Sequence, residues 1–245
     1  YNITPLERLL RLAKESGVKH AVIAGSYFSY FAKKWPEMEM TKYHPYIRSR
    51  IDQENMAFSF ADDSFAVSVL ELPYIFGAQK GRKPVWVFLV EMLLKMKGAI
   101  LYPKGGTTMV TVRQVGQAFA GALERGRGAN AYPIGWFNLT WREMIAMMNN
   151  YMGVPDKKII TIPKFLFALS AKQIEKSHRS KGTEGGLDMT KFVDMQTSNL
   201  FIDKEEACLP LGVTDDDIDA AIGESVLLSM EVLDQKTKVI DMKGE

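Results

Sequence analysis

Short apolar runs alternate with segments of helical spacing along the first part of the chain. The runs at residues 20–25 (HAVIAG) and 65–72 (FAVSVLEL) are continuous and apolar, which predicts two buried strands. Segments 4–17 and 45–61 carry apolar residues three and four positions apart, so we predict helices there. Residues 27–43 are rich in polar and aromatic residues and are predicted as a loop. Buried strands that alternate with helices indicate a parallel sheet covered on both faces.

The pattern changes after residue 76. Residues 77–83 (GAQKGRK) predict a basic, glycine-bearing loop, and residues 84–98 predict a strongly apolar helix. Short strands are predicted at 108–112 and 130–135, with a helix between them. From residue 138 onward we predict helices joined by loops, with one short strand at 158–162 and a last helix that begins near residue 214. The sequence thus predicts an α/β half followed by a more helical half.

Composition and charge narrow the class of protein. The 245 residues are 47% hydrophobic and carry a net charge of +2, which favours neither nucleic acid nor a membrane surface as a partner. The apolar run VWVFLV is too short to span a bilayer. A single cysteine, Cys208, excludes an internal disulfide and favours a reducing compartment, the cytoplasm. The histidines His20, His44 and His178 have no ligand partners at metal spacing, so no metal site is predicted.

Candidate chemistry lies where the predicted strands end. In open parallel sheets, ligands bind beyond the carboxyl ends of the strands, and Ser26 directly follows the first strand. Tyr46 and Arg50 lie four residues apart and therefore on one helix face. A cation beside a phenol favours the phenolate, and such a phenol can act as a general acid or base. These three residues would suit carbonyl or alcohol redox chemistry, but an exposed cation–π pair would also explain the spacing.

Several segments together resemble a known family. The runs GVKHAVIAGSYFSYF, HPYIRSRIDQENMAF and VSVLELPYIFG follow one another in the order of the extended short-chain dehydrogenase/reductases, the NAD(P)-dependent epimerase/dehydratase-like proteins. TMVTVRQVGQAFAGALERG, GANAYPIGWFNLTWREMIAMM and FIDKEEACLPLGVTDDDIDAAIGESV are similar to later segments of the same family. The resemblance covers nearly the whole chain.

The resemblance implies a fold and a division of the chain. The fold would be α/β, a Rossmann-like doubly wound parallel sheet with a smaller, mainly helical C-terminal substrate lobe. Residues 1–135 would form the later part of the dinucleotide-binding domain, with 77–107 contributing to the substrate lobe, and residues 136–245 would form the substrate-binding lobe. The glycine-rich turn with which the family begins is absent from this sequence. Either roughly a hundred residues of such a fold precede Tyr1, which is the alternative we favour, or the protein lacks this phosphate-binding turn.

The resemblance also implies roles for individual residues. Tyr46 would exchange a proton with the substrate, Ser26 would polarise the substrate oxygen, and Arg50 would hold a charge beside the phenol. The cofactor, NAD or NADP, would contact Ala24, Gly25, Tyr46, Arg50, Pro73, Tyr74 and Ile75. The small-molecule substrate, a nucleotide sugar or similar compound, would contact Tyr27, Tyr30, Gln79, Lys80, Arg82 and Arg113.

Two alternatives follow from departures from the family pattern. The family has lysine where this chain has Arg50, and arginine keeps the charge but cannot release a proton. The chain is therefore expected to be an NAD(P)-dependent epimerase or reductase, or else a dinucleotide-binding sensor or scaffold with weak or no turnover. The basic residues of 77–83 would suit a diphosphate, but a solvated loop has the same composition. A homodimer is a further expectation from the resemblance, through the helix that bears Tyr46 and its apolar residues Ile47, Ile51 and Met56.

Overall fold

A computed structural model of the chain describes residues 3–180, 185–237 and 239–240. The described helices are α1 (Ile3–Glu15), α2 (Tyr27–Lys34), α3 (Met40–Tyr43), α4 (Pro45–Phe58), α5 (Val87–Lys95), α6 (Val112–Arg125), α7 (Trp141–Tyr151), α8 (Lys164–Ser180), α9 (Met189–Gln196) and α10 (Ile218–Leu233). The described strands are β1 (His20–Ala24), β2 (Ala66–Glu71), β3 (Tyr74–Phe76), β4 (Ile100–Pro103), β5 (Gly106–Thr111), β6 (Ala129–Pro133), β7 (Phe137–Thr140), β8 (Ile159–Ile162) and β9 (Asn199–Leu200).

Strand β2 lies in the middle of a three-stranded parallel sheet with the order β1-β2-β6. Alternate side chains of a strand point to opposite faces of its sheet. Val67 and Val69 pack with Leu10 of α1 and Ala57 of α4, whereas Leu70 packs against α6 on the other face. The predicted α/β class, with a parallel sheet covered by helices on both faces, is therefore confirmed.

A second sheet follows in the chain. Strand β5 pairs in parallel with β3 and β9 and antiparallel with β7, while β4 and β8 form a separate parallel pair. Side chains of α5, α7 and α10, among them Val90, Trp141 and Val226, form the core beside these strands. Of the strands after residue 136, the sequence predicts only β8, because its run KIITI is rich in β-branched residues and β7 and β9 have no such run.

The predicted loop at residues 27–43 is wrong, because most of this segment is helical. Helix α2 begins after Ser26, whose side-chain oxygen accepts a hydrogen bond from the backbone N–H of Phe28 at 3.4 Å. Tyr27 and Phe31, one turn apart, are both buried, and their rings meet edge to face at 5.6 Å. Aromatic residues have modest helix propensity, so burial of this face stabilises the helix and the sequence pattern alone did not indicate it.

Close packing of α6 gives a first testable prediction. A Cβ at Gly121 would collide with the backbone carbonyl of Leu211, whereas a Cβ at Gly116 in the same helix would meet no atom within 4 Å. We expect Gly121→Ala to lower the free energy of unfolding by about 1–3 kcal/mol. The matched control Gly116→Ala should raise it by about 0.5–1 kcal/mol, because alanine has the higher helix propensity. Urea unfolding measures both, and equal values for the two variants would contradict the packing described here.

Candidate functional site

The candidate site lies at the carboxyl edge of the β1-β2-β6 sheet. Strand β1 ends at Ala24 and leads through Gly25 to Ser26, which begins α2. The backbone N–H of Gly25 donates to the carbonyl of Leu70, so this turn stays attached to β2. Ser26 is only 4% exposed. Its oxygen accepts the cap hydrogen bond from Phe28, and among the described residues its O–H group donates to no acceptor.

Helix α4 brings Tyr46 and Arg50 together at the same edge. The guanidinium carbon of Arg50 lies 5.3 Å from the centre of the Tyr46 ring, and the Tyr46 ring meets Phe28 of α2 edge to face at 6.3 Å. The amino ends of α2 and α4 therefore contact each other. Within the described residues, no hydrogen bond joins Ser26 to Tyr46, and the Tyr46 hydroxyl has no hydrogen-bond partner there.

Only part of the Arg50 side chain is engaged in hydrogen bonds. Its Nη1 donates to Gln53 Oε1 at 3.0 Å, whereas its Nε is buried and has no acceptor in the described part of the chain. A buried donor without an acceptor costs free energy unless a ligand supplies one. The observed ring contact is also what the simpler interpretation, a cation–π pair, predicts. The unpartnered Nε is the feature that this simpler interpretation does not explain.

The two tyrosines of α2 assigned to the substrate have partners within the chain. Tyr27 is 3% exposed, and the Thr107 hydroxyl donates to its phenol oxygen at 3.0 Å. Burial raises the pKa of Tyr27 well above its ordinary value, the hydrogen bond opposes this, and the nearby Tyr46 phenol adds to it. The Tyr30 hydroxyl lies 3.4 Å from Glu206 Oε1 and 2.8 Å from Lys34 Nζ. Tyr46 is thus electrostatically close to Tyr27.

Residues 73–75 connect β2 to β3 and run beside this edge. Pro73 is buried, and the Trp86 indole N–H donates to the carbonyl of Ile75 at 2.8 Å. The Tyr74 ring lies 6.1 Å from the ring of Tyr27, and burial raises the pKa of Tyr74 well above its ordinary value. This connection is therefore held in place by aromatic packing.

The predicted basic contacts lie on exposed segments. Gln79, Lys80 and Arg82 are exposed between β3 and α5, and Arg113 is exposed in the first turn of α6 with Asp216 at 3.8 Å. In the described residues, no hydrogen bond, ion pair or ring contact joins these four side chains to Tyr46 or Arg50. The structure therefore brings Tyr46 and Arg50 into contact and places the start of α2, which follows Ser26, beside Tyr46 through Phe28. It does not bring the basic residues to this pair.

Three charged residues lie behind this site and were not predicted from the sequence. Lys33, Glu54 and Glu71 form ion pairs at the junction of α2, α4 and β2. The signal was present in the run FAVSVLEL, because a carboxylate at the end of a buried strand needs a partner inside the protein.

The histidine His44 and the single cysteine, both named in the sequence analysis, are buried. His44 is 1% exposed, and its Nδ1 accepts the backbone N–H of Asp188 at 3.2 Å; burial lowers the pKa of His44, and Asp188 partly offsets this. Burial raises the pKa of the Cys208 thiol to about 11. The side chain of His178 lies outside the described residues. Across the described ranges, no group of three or more His, Cys, Asp or Glu side chains is placed to hold a metal ion.

Two further observations concern surfaces. Among the described helices, none combines the length and the apolar character needed to cross a membrane. Of the apolar residues expected to support a homodimer, Ile47 is fully buried, while Ile51 and Met56 are half-buried in the cores around α4.

Comparison with known proteins gives matches in structure only. No family profile matches the sequence, and no curated protein matches it. Among solved structures, the chain is similar to RMD from Pseudomonas aeruginosa complexed with NADPH, with a TM-score of 0.60, 14% identity, and coverage of 95% of this chain and 72% of that one. It is also similar to DesIV, the dTDP-glucose 4,6-dehydratase from Streptomyces venezuelae solved with NAD and TYD bound, with a TM-score of 0.56, 16% identity, and coverage of 94% and 66%.

A third match is the UDP-N-acetylglucosamine 4-epimerase from Bacillus cereus, with a TM-score of 0.53, 12% identity, and coverage of 91% of this chain and 69% of that one. The chain thus spans about two thirds of the length of the structures it matches. Identities this low show the fold and no more. The chain has the fold of the extended short-chain dehydrogenase/reductases, the family that its sequence resembles.

Proposed function

We propose that this chain forms the reactive part of an NAD- or NADP-dependent oxidoreductase or epimerase that acts on a hydroxyl or carbonyl group of a nucleotide sugar or similar small substrate. One observation supports this most strongly. The buried Nε of Arg50 has no acceptor among the described residues, while the guanidinium lies over the Tyr46 ring at the edge of a parallel sheet. Solved structures with this fold contain NAD or NADPH.

The residues present fit a dinucleotide at this edge. The buried Arg50 Nε is a donor without an acceptor in the described chain, and ribose hydroxyls are acceptors. Residues 73–75 would lie against the nicotinamide, and Ala24 and Gly25 would lie beside it at the end of β1. When bound, the cofactor supplies or accepts a hydride. The unpartnered N–H group of Arg50 could thus donate a hydrogen bond to the ribose of a nicotinamide riboside bound at this edge.

The roles of the chain's own side chains follow from their hydrogen-bonding capacity. The Tyr46 hydroxyl, which has no partner among the described residues, would exchange a proton with the substrate oxygen. The O–H of Ser26 would donate a hydrogen bond to the same oxygen and stabilise negative charge that develops there. Arg50 would favour the phenolate through its fixed positive charge but, unlike a lysine, would not carry the proton onward.

A second candidate is a dinucleotide-binding protein without turnover. Arg50 in place of lysine and the non-standard Gly25 before Ser26 favour it. Both candidates require that the protein binds a nicotinamide dinucleotide. Only the first requires that a carbonyl compound or nucleotide sugar then changes the oxidation state of that dinucleotide.

Dinucleotide binding is the first test. NADH and NADPH are titrated into the protein, and tryptophan fluorescence reports binding. Arg50→Met should weaken binding by about tenfold or more, because the ribose hydroxyl loses its charged donor, while Arg50→Lys should recover part of it. Arg48→Met, in the same helix and with an exposed side chain bonded to the carbonyl of Thr41, serves as the matched control. Absence of binding for both dinucleotides would exclude both candidates.

The proposal also includes the cellular compartment and the oligomeric state of the protein. The single cysteine, buried in the structure, suits a reducing compartment, and we propose the cytoplasm. We propose a homodimer on the family resemblance, with the exposed side of α4 at its interface. Because Ile47 is buried within its own chain, that interface would use polar as well as apolar residues of α4. Sedimentation equilibrium of the protein measures its oligomeric state.

A further inference from the structure

An ion cluster of two buried carboxylates and one lysine, whose side chain is 46% exposed, joins the three elements that hold the proposed site. The Lys33 Nζ lies 2.8 Å from Glu54 Oε1 and 2.9 Å from Glu71 Oε1. Lys33 is in the last turn of α2, Glu54 is in α4 one turn after Arg50, and Glu71 is the last residue of β2. The cluster thus connects the helix that begins at Ser26, the helix that carries Tyr46, and the strand that leads to Pro73.

Two carboxylates compete in this cluster for one ammonium group. Glu71 is 1% exposed and Glu54 is 6% exposed. The contact of Lys33 with Glu71 is an ion pair without the geometry of a hydrogen bond, and Glu54 Oε2 is buried without a donor. The hydroxyl of Ser29, one turn before Lys33, is also buried without a partner. The cluster therefore carries an excess negative charge whenever both carboxylates are ionised.

The surroundings of Glu71 favour uptake of a proton. Burial raises the pKa of Glu71 to about 7; Lys33 opposes this, and Glu54 adds to it. Burial alone would lower the pKa of Lys33, but its hydrogen bond with Glu54 and its ion pair with Glu71 raise it, so Lys33 stays charged. The strands on either side of β2 add no charge at this level, because Pro133 lies opposite Glu71 and β1 ends at Ala24, opposite Leu70.

We propose that Glu71 is a positioning residue: with Lys33 and Glu54 it sets the separation of α2 and α4, and the gain or loss of one proton at its carboxylate shifts the Tyr46 ring relative to Ser26. When Glu71 is protonated, Lys33 pairs with Glu54 alone and the repulsion between the carboxylates is gone. When Glu71 is ionised, Lys33 is held between the two carboxylates and draws the end of α2 toward β2. This inference rests on the proposed function only for its catalytic meaning, since the movement itself needs no cofactor.

The movement can be measured in the free protein. Tyr46 is replaced by 4-fluorophenylalanine, whose fluorine stands where the hydroxyl was and does not titrate, and its ¹⁹F chemical shift is recorded from pH 5 to pH 9. We expect an inflection near pH 7 in the otherwise unchanged protein and none in Glu71→Gln. A separate inflection below pH 6.5, from the nearby His44, should persist in both, because burial lowers its pKa. Glu124→Gln, at an exposed position of α6, is the control that keeps both inflections.

A second variant keeps the test decisive if Glu71→Gln does not fold. Lys33→Gln removes the ammonium that opposes protonation of Glu71, so the inflection should move to higher pH by about one unit or more. An inflection that stays near pH 7 in this variant, or that persists in a folded Glu71→Gln protein, would overturn the inference. A protein that shows the expected inflections but binds neither NADH nor NADPH would refute the proposed function and leave the positioning role of Glu71 in place.

Discussion

Replacing Tyr46 by phenylalanine is expected to lower turnover by about 100-fold or more while dinucleotide binding stays within about twofold of the unchanged protein. The substitution removes one oxygen atom, which has no hydrogen-bond partner among the described residues. It keeps the ring that contacts Phe28 and Arg50. A proton donor or acceptor is then missing from the reaction, whereas the packing of α2 against α4 is retained.

The measurement is oxidation of NADH or NADPH in the presence of a panel of carbonyl compounds and nucleotide sugars, with the most active compound used for the comparison. Tyr43→Phe is the matched control: this phenol lies one turn earlier and bonds only to Glu39 Oε2, at 3.3 Å, in the described chain. Equal rates for the two variants would exclude Tyr46 as the acid or base. If the unchanged protein and both variants bind the dinucleotide but none of them shows turnover, the result would favour the second candidate, a dinucleotide-binding protein without activity.

Replacing Trp141 by alanine is expected to lower the free energy of unfolding by about 3–5 kcal/mol, the usual cost of removing a large buried aromatic side chain. Trp141 is 2% exposed and begins α7. Its indole N–H donates to the carbonyl of Gln196 at 2.7 Å, and its ring lies 5.6 Å from that of Tyr74. The side chain thus connects α7, the end of α9 and the segment beside the proposed nicotinamide position.

Two control variants separate the contributions at this position. Trp141→Phe keeps most of the apolar volume but leaves the Gln196 carbonyl without its donor, so about 1–3 kcal/mol of the loss should remain. Trp136→Ala removes a half-buried indole that bonds to Asp215 at 2.8 Å, and should cost less than Trp141→Ala. Urea unfolding followed by circular dichroism measures all three without relying on the substituted fluorophore. A cost for Trp141→Ala no larger than that for Trp136→Ala would contradict its place in the core.

The strands and long helices of the first half could be predicted because their patterns are strong. The runs at 20–25 and 65–72 became β1 and β2, and the helix expected from residue 45 became α4. Helix α2 was missed since its stability depends on the burial of Tyr27 and Phe31 against distant parts of the chain. Strands β3, β4, β7 and β9 were missed because these short segments lack the β-branched run that marks β8. Pairing with β5 decides the conformation of β3, β7 and β9, and pairing with β8 decides that of β4.

The sequence allowed the contact between Tyr46 and Arg50 to be predicted, but not the charged residues that surround the candidate site. The four-residue spacing correctly indicated that Tyr46 and Arg50 share a helix face, and the structure records their contact. Whether they act on a substrate stays a prediction. The ion cluster behind them could not be derived from spacing, because Lys33, Glu54 and Glu71 come from three elements separated by 21 and 17 positions. Only tertiary packing brings such residues together.

The sharing of one ammonium between two acids also limits how this part of the protein can vary. Loss of Lys33 alone would leave the two carboxylates of Glu54 and Glu71 facing each other. Loss of Glu54 alone would leave Glu71 as the only counter-charge of Lys33. A buried ion whose partner is removed is strongly unfavourable, whereas an apolar replacement of the whole group is often tolerated. Homologous proteins should therefore exchange positions 33, 54 and 71 as a set, and engineers who redesign one of the three will need to redesign the other two.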